Sequence, residues 1–162
     1  DNDRDGNYYF IPVDANPERL KSTAVFYADI KNTLVGLPGK ALLFLDTCHS
    51  GNVMGSRRSL VPDVNQVVND LMSAENGIVV FTASTGRQYA MEHKSWGNGA
   101  FTKALVEGLG GKADFTRDGL ITINQLDLYI SERVKELTRG SQTPTTAKPK
   151  TVSDYPIAIV LS

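Results

Sequence analysis

"ALLFLDTCHSGNV", residues 41–53, is the stretch whose reading decides the fold. Ala41, Leu42, Leu43, Phe44 and Leu45 follow one another without a polar residue between them, so a strand built from them has no wet face. Unbroken apolar strands belong to sheets covered by helices on both sides, which are mostly parallel. The run stops at Asp46, and a polar, glycine-containing turn follows. In open α/β sheets reactive groups stand just past the carboxyl ends of strands, where loops converge on a crevice. Cys48, the one cysteine of the chain, occupies that place. A lone cysteine is equally a small buried hydrophobe, and the residues alone leave both readings open.

Working outward, residues 77–83 ("GIVVFTA") and 156–161 ("PIAIVL") have the same non-alternating character and are predicted as further strands of that kind. Residues 8–13 ("YYFIPV") include Pro12, which suits an edge strand or a hairpin arm. Ile123, Leu126, Ile130, Val134 and Leu137 share one face at helical spacing, and Thr122 with Gln125 makes a capping box, so the pattern predicts a helix over 122–138. Further helices are expected over 23–37, stopped by Pro38 and Gly39; over 63–74, opened by Asp63; and over 99–109, closed by Gly110 and Gly111. Residues 139–155 are rich in small polar residues and proline and read as a long surface loop. Strands alternating with helices predict an α/β sandwich. A strand as apolar as 41–46 needs neighbours that this chain is short of, so the domain reads as incomplete at its N-terminus.

The chain has 162 residues, 41% of them hydrophobic and 22% charged, which suffices for one core and one domain over 1–162. A net charge of −1 with scattered basic residues argues against nucleic acid and anionic membrane as partners. No run approaches the length of a membrane span. A single cysteine makes no internal disulfide, which fits a reducing compartment, and the cytoplasm is the expectation.

A thiol needs a base to act as a nucleophile. The two histidines are His49 and His93. His49 adjoins Cys48, so at a strand end its side chain points to the opposite face. His93 lies in a polar loop and reads as a surface histidine, so neither is assigned the role. A phosphatase cysteine is excluded by Met54, which stands where that chemistry requires arginine, and no second cysteine offers a redox or zinc pair. "DNDRDG" at 1–6 and "DFTRDG" at 114–119 mimic the start of a calcium loop, yet Pro12 and Gln125 stand at the twelfth positions where glutamate is required. Both read as acidic turns.

The residues carry a resemblance. "FLDTCHSGNV" resembles the nucleophile segment of the caspase-like cysteine peptidases, in the acidic form that looks like metacaspases and their bacterial relatives. "DRDGNYYFIPVDA", "FTAST…AMEHKSWGNGAFTKALVEGL" and "DGLITINQLDLYISERVKELT…QTPTT" extend the likeness, in order, over most of the chain. The resemblance implies a three-layer α/β/α caspase-like sandwich with a mostly parallel sheet. It further implies a Cys–His dyad whose histidine, in a His-Gly pair, ends the strand beside the nucleophile strand and stands upstream of a segment like "DGNYYFIPVDA". That histidine matches no residue here, so an N-terminal portion of the same domain is the expected partner and the fragment alone is expected to be inactive. A separate N-terminal chain, an upstream part outside this sequence, and a pseudo-peptidase remain alternatives.

The function implied is a cysteine endopeptidase acting on proteins or peptides, with Cys48 as nucleophile. The alternative is a catalytically inactive scaffold that binds protein partners. Asp46 lies two residues before Cys48, on the same side of the strand end, and is read as a P1-pocket carboxylate for Arg or Lys, as the resemblance also implies; bonding to turn amides is the alternative. Arg57 and Arg58 offer a basic pair for self-cleavage or a solvated loop. Glu92 and Trp96 are read as walls of the substrate cleft, with core packing the alternative for Trp96. No metal ligand and no cofactor are predicted. Some metacaspases are calcium-activated, so the resemblance carries calcium activation without a ligand set.

Overall fold

The computed structural model describes residues 8–12, 14–46, 68–71, 73, 77–83 and 99–161. In chain order these form β1 (Tyr9–Phe10), a 3-10 turn (Pro17–Arg19), α1 (Leu20–Thr23), β2 (Val25–Phe26), α2 (Tyr27–Val35), β3 (Leu42–Leu45) and β4 (Val79–Thr82). There follow α3 (Ala100–Glu107), a wide π-type turn (Gly108–Lys112), β5 (Leu120–Thr122), α4 (Ile123–Thr138), β6 (Thr145–Ala147) and β7 (Pro156–Ile159). Residues 68–71 are also helical, inside the helix expected over 63–74.

The apolar run at 41–45 does form a strand, and it pairs in parallel with β4, Leu42 opposite Val79 through Leu45 opposite Thr82. The other edge of β4 takes β6 antiparallel, giving the order β3-β4-β6 in a mixed sheet. Every residue of β4 is buried. Alternation along the strands sends side chains to two apolar clusters. Leu42, Phe44, Val79 and Phe81 join Phe101, Ala104, Leu126, Ile130 and Val134 of α3 and α4. Leu43, Leu45, Val80 and Ile78 join Leu71, Tyr27 and Leu34. Phe44 and Phe81, directly opposite in register, stack with centroids 4.8 Å apart.

The capping box of α4 is present as the sequence predicts. The Thr122 hydroxyl accepts from the Gln125 amide, and the Gln125 side chain accepts from the Thr122 amide at 2.8 Å. The neighbouring donors are met by residues ahead of β7: Asn124 N–H donates to the Asp154 carboxylate at 3.0 Å and Ile123 N–H to the Tyr155 carbonyl at 3.3 Å. The first three amides of α4 are therefore satisfied by side chains or backbone, which is what a helix N-terminus requires.

Four expectations are corrected. The helix expected over 23–37 begins only at Tyr27, because Val25 and Phe26 are drawn into strand pairing with Tyr9 and Phe10, where Tyr9 and Phe26 stack at 5.1 Å. The long loop at 139–155 contains β6, whose Thr-Thr-Ala completes the edge of β4. The strand at 156–161 spans Pro156–Ile159 and pairs antiparallel with β5, an element without its own sequence signal; it is not covered on both faces, and Ile159 is 71% exposed. The helix at 99–109 closes at Glu107, and the chain then swings through Gly111 at φ 115°, where a Cβ would stand 3.1 Å from Val160 Cγ1. That position combines a left-handed conformation with a close approach, and both call for glycine.

α3 and α4 are tied by one carboxylate. Glu107 receives Tyr129 Oη at 2.9 Å and Arg133 Nε at 2.8 Å, with Lys103 Nζ at 3.2 Å and Lys112 Nζ at 3.5 Å. The Arg133 hydrogen bond, opposed by desolvation and helped by Tyr129 and Lys103, lowers the Glu107 pKa from 4.5 to about 2. A pKa depressed in the native state stabilises fully above the unfolded value, and the contribution is lost as pH falls from about 4.5 towards 2. Glu107→Gln is therefore expected to lose about 1–3 kcal/mol of stability at neutral pH. In urea unfolding the gap between variant and parent should be wide at about pH 6 and narrow at about pH 3; a gap constant across that interval would remove the carboxylate from the acid limb.

Candidate active site

The parallel pairing of β3 with β4 brings their carboxyl ends level. Leu45 lies opposite Thr82, and the Ala83 amide donates to the Leu45 carbonyl at 2.9 Å. Asp46 is the next residue of the first strand and is exposed at this rim. Two further elements close on the same place. From the segment after α4, the fully buried Gln142 donates through Nε2 to the Ala83 carbonyl at 2.6 Å, and its own amide donates to Thr138 Oγ1 at 3.1 Å. From the first turn of α3, Thr102 Oγ1 donates to Asp46 Oδ2 at 2.5 Å.

Each contact follows from local sequence constraints. β4 ends at Thr82, whose hydroxyl donates to the Thr145 carbonyl of β6 at 3.2 Å. The carbonyl of Ala83 lies past the ladder and inside the protein, so it needs a side-chain donor, which Gln142 supplies. α3 is seated by Ala100, Phe101 and Ala104, each no more than 1% exposed, leaving Thr102 on its free flank against the strand end. Lys103, next to Thr102, is turned to Glu107 instead. Among the described residues no lysine or arginine pairs with Asp46, whose partner is a neutral hydroxyl.

Of the candidate site residues named from the sequence, Asp46 is the one the structure describes. Cys48, His49, Arg57, Arg58, Glu92, His93 and Trp96 lie outside the described residues. Thr102 and Gln142 carry no chemical motif and were found by their contacts alone. The turn at 114–119 is closed by its own carboxylate: Asp114 accepts from the Gly119 amide at 2.9 Å and the Asp118 amide at 3.3 Å. Among the described residues no group of three or more His, Cys, Asp or Glu side chains could hold a metal ion, and no helix is long and apolar enough to cross a membrane. A shallow groove over Lys112, Phe115, Leu128 and Tyr129 shares no residue with the strand end.

A family model described as the caspase domain matches residues 2–154, nearly the whole chain. The chain belongs to the caspase domain family. This is a family of peptidases, and membership brings cysteine-peptidase-like function with protein substrates. The mixed sheet, the helices against it and the small antiparallel pairs described above are this chain's version of the caspase domain fold. A comparison with curated proteins finds no match.

Gln142 is the buried polar anchor of this caspase domain's strand end. Gln142→Met keeps much of the volume and leaves the Ala83 carbonyl without its donor, which should cost about 1–3 kcal/mol. Chemical denaturation of the variant checks this, and an unchanged midpoint would mean that another donor reaches that carbonyl.

Proposed function

We propose that this domain is a cysteine endopeptidase that cleaves after arginine or lysine, with Cys48 as nucleophile. The observation that carries the reading is the caspase-domain match, taken with an exposed aspartate at the carboxyl end of a parallel strand two residues before the cysteine. In the proposed reaction the Cys48 thiolate attacks the scissile carbonyl carbon. An imidazolium protonates the departing amine, and the thioester that remains is hydrolysed by a water that the same imidazole deprotonates. The backbone N–H of Cys48 would steady the tetrahedral oxyanion.

The base is proposed to be a histidine outside this chain, on a strand that lies beside β3. Two features support the placement. Among the described residues no strand pairs with the second edge of β3. Its side chains are apolar throughout, as those of an interior strand are. The apolar clusters on the two faces of β4 likewise support a three-layer α/β/α arrangement, whose sheet the additional strand would make more parallel.

Asp46 is proposed to bind the substrate's P1 cation. An arginine can meet a carboxylate through two parallel N–H···O bonds, and a lysine through a single ammonium. The absence of a paired cation at Asp46 among the described residues supports this role, since its charge is not already neutralised there.

In the full-length protein, peptides ending in Arg or Lys before a fluorogenic group should be turned over, and Cys48→Ala should reduce turnover to background. Persistent turnover in that variant would end the nucleophile assignment. Asp46→Ala should raise KM for these peptides roughly 10- to 100-fold, the worth of a hydrogen bond to a charged group. A P1 profile unchanged by that substitution would remove Asp46 from the pocket.

A further inference from the structure

We infer that Thr102 is a positioning residue for the Asp46 carboxylate, and that it sets the preference for arginine over lysine at P1. The inference rests on the proposed pocket role of Asp46.

An aspartate exposed at a strand end turns readily about its terminal torsion, which has a broad and nearly two-fold profile. A guanidinium fork makes two bonds only when both carboxylate oxygens lie in its plane. Thr102 restrains that freedom from an element 56 residues away, through the bond from its Oγ1 to Asp46 Oδ2. The restraint is stiff at its own end. Threonine is β-branched with few rotamers in a helix, and the helix that bears it is seated by the buried Phe101 and Ala104. A hydroxyl carries one proton. Thr102 gives that proton to Asp46, so it is not used to bond back to the helix's own carbonyls.

The chemistry of the contact suits a pocket better than a salt bridge would. A lysine or arginine at position 102 would neutralise Asp46, and Lys103, the next residue along the helix, is held by Glu107. A neutral donor orients the carboxylate and leaves its charge intact. A carboxylate also has about four lone-pair sites, so one bond from Thr102 leaves room for a fork. Lysine presents a compact, rotatable point charge and depends far less on the plane of its partner. Loss of the Thr102 hydroxyl should therefore harm arginine substrates selectively.

The test is steady-state kinetics on the full-length protein with matched fluorogenic peptides ending in Arg or Lys. Thr102→Val is expected to raise KM for the Arg peptide about tenfold with kcat little changed, the size of one hydrogen bond to a charged group. The Lys peptide should lose less than about threefold, and Thr102→Ser should restore the parental ratio. In the Asp46→Asn background, Thr102→Val should add little further loss, since the two act on one interaction. Should Thr102→Val fold poorly, Thr102→Ala read against Thr102→Ser gives the same comparison. Equal losses on both peptides, or no rescue by serine, would overturn the positioning role while leaving the pocket standing. An Asp46→Asn protein with parental kinetics on both peptides would instead overturn the pocket reading, and this inference with it.

Discussion

The structure depends on the enclosure of β4. Val79, Val80, Phe81 and Thr82 are buried on both faces, and both edges of the strand are paired. With no residue of the strand reaching water, helices must cover each side. Phe81 and Val79 recruit α3 and α4, while Val80 and Ile78 recruit α2 and the helical residues 68–71. The stacking of Phe44 on Phe81 then holds β3 in register beside it. A slip of one residue would turn each of these side chains to the wrong layer, so burial and register enforce one another. The level at which Asp46 emerges is a consequence of that register.

Local signals in the sequence proved legible, and signals spread between distant segments did not. The capping box at Thr122 and Gln125 is contained within four residues and the heptad-like stripe after it within a single helix, so α4 could be read directly. The runs at 41–45 and 79–82 announced themselves by the absence of polar residues. β5, in contrast, is three residues long, and its strand character comes from Ile121 and Leu120 pairing with Ala158 and Ile159 nearly forty positions away. β2 lies in a segment with helical spacing and becomes extended because Tyr9 offers Phe26 a stacking partner. β6 hides in composition typical of a loop, and only the open edge of β4 makes it a strand. At the strand end, Asp46 is legible because it stands two residues before the cysteine. Thr102 and Gln142 lie inside segments that carry the resemblance, but their contacts were not legible, since a threonine in a helix and a glutamine in a polar segment look the same whether they face water or a partner.

Among the described residues, the carboxylates that bond to other elements or within turns divide by what they bind. Glu107 is surrounded by Arg133, Lys103 and Lys112 and fastens two helices; Asp70 receives Lys31 at 2.7 Å and fastens α2 to the helical residues 68–71. Both carboxylates are engaged in ion pairs that tie separate elements together. Asp114, Asp118 and Asp154 hold turns and helix amides through neutral donors close to the backbone they shape. Asp46 also has a neutral donor, but the bond closes no turn and caps no helix: it joins the end of one element to the flank of another.

In the proposed pocket, that difference ties the Asp46 carboxylate to the core. The donor to Asp46 rides on α3, and α3 is placed by Phe101 and Ala104 against the same β4 whose register sets the height of Asp46. Both ends of the hydrogen bond are thus referred to one strand, by two routes through close-packed side chains that do not yield by small continuous amounts. A rim carboxylate held this way is oriented in advance, so in the proposed P1 pocket less of the binding free energy would be lost to ordering it. The enclosure of β4 therefore accounts for the mixed sheet, for the helices packed against its two faces and for the direction in which the Asp46 carboxylate is held at the strand end.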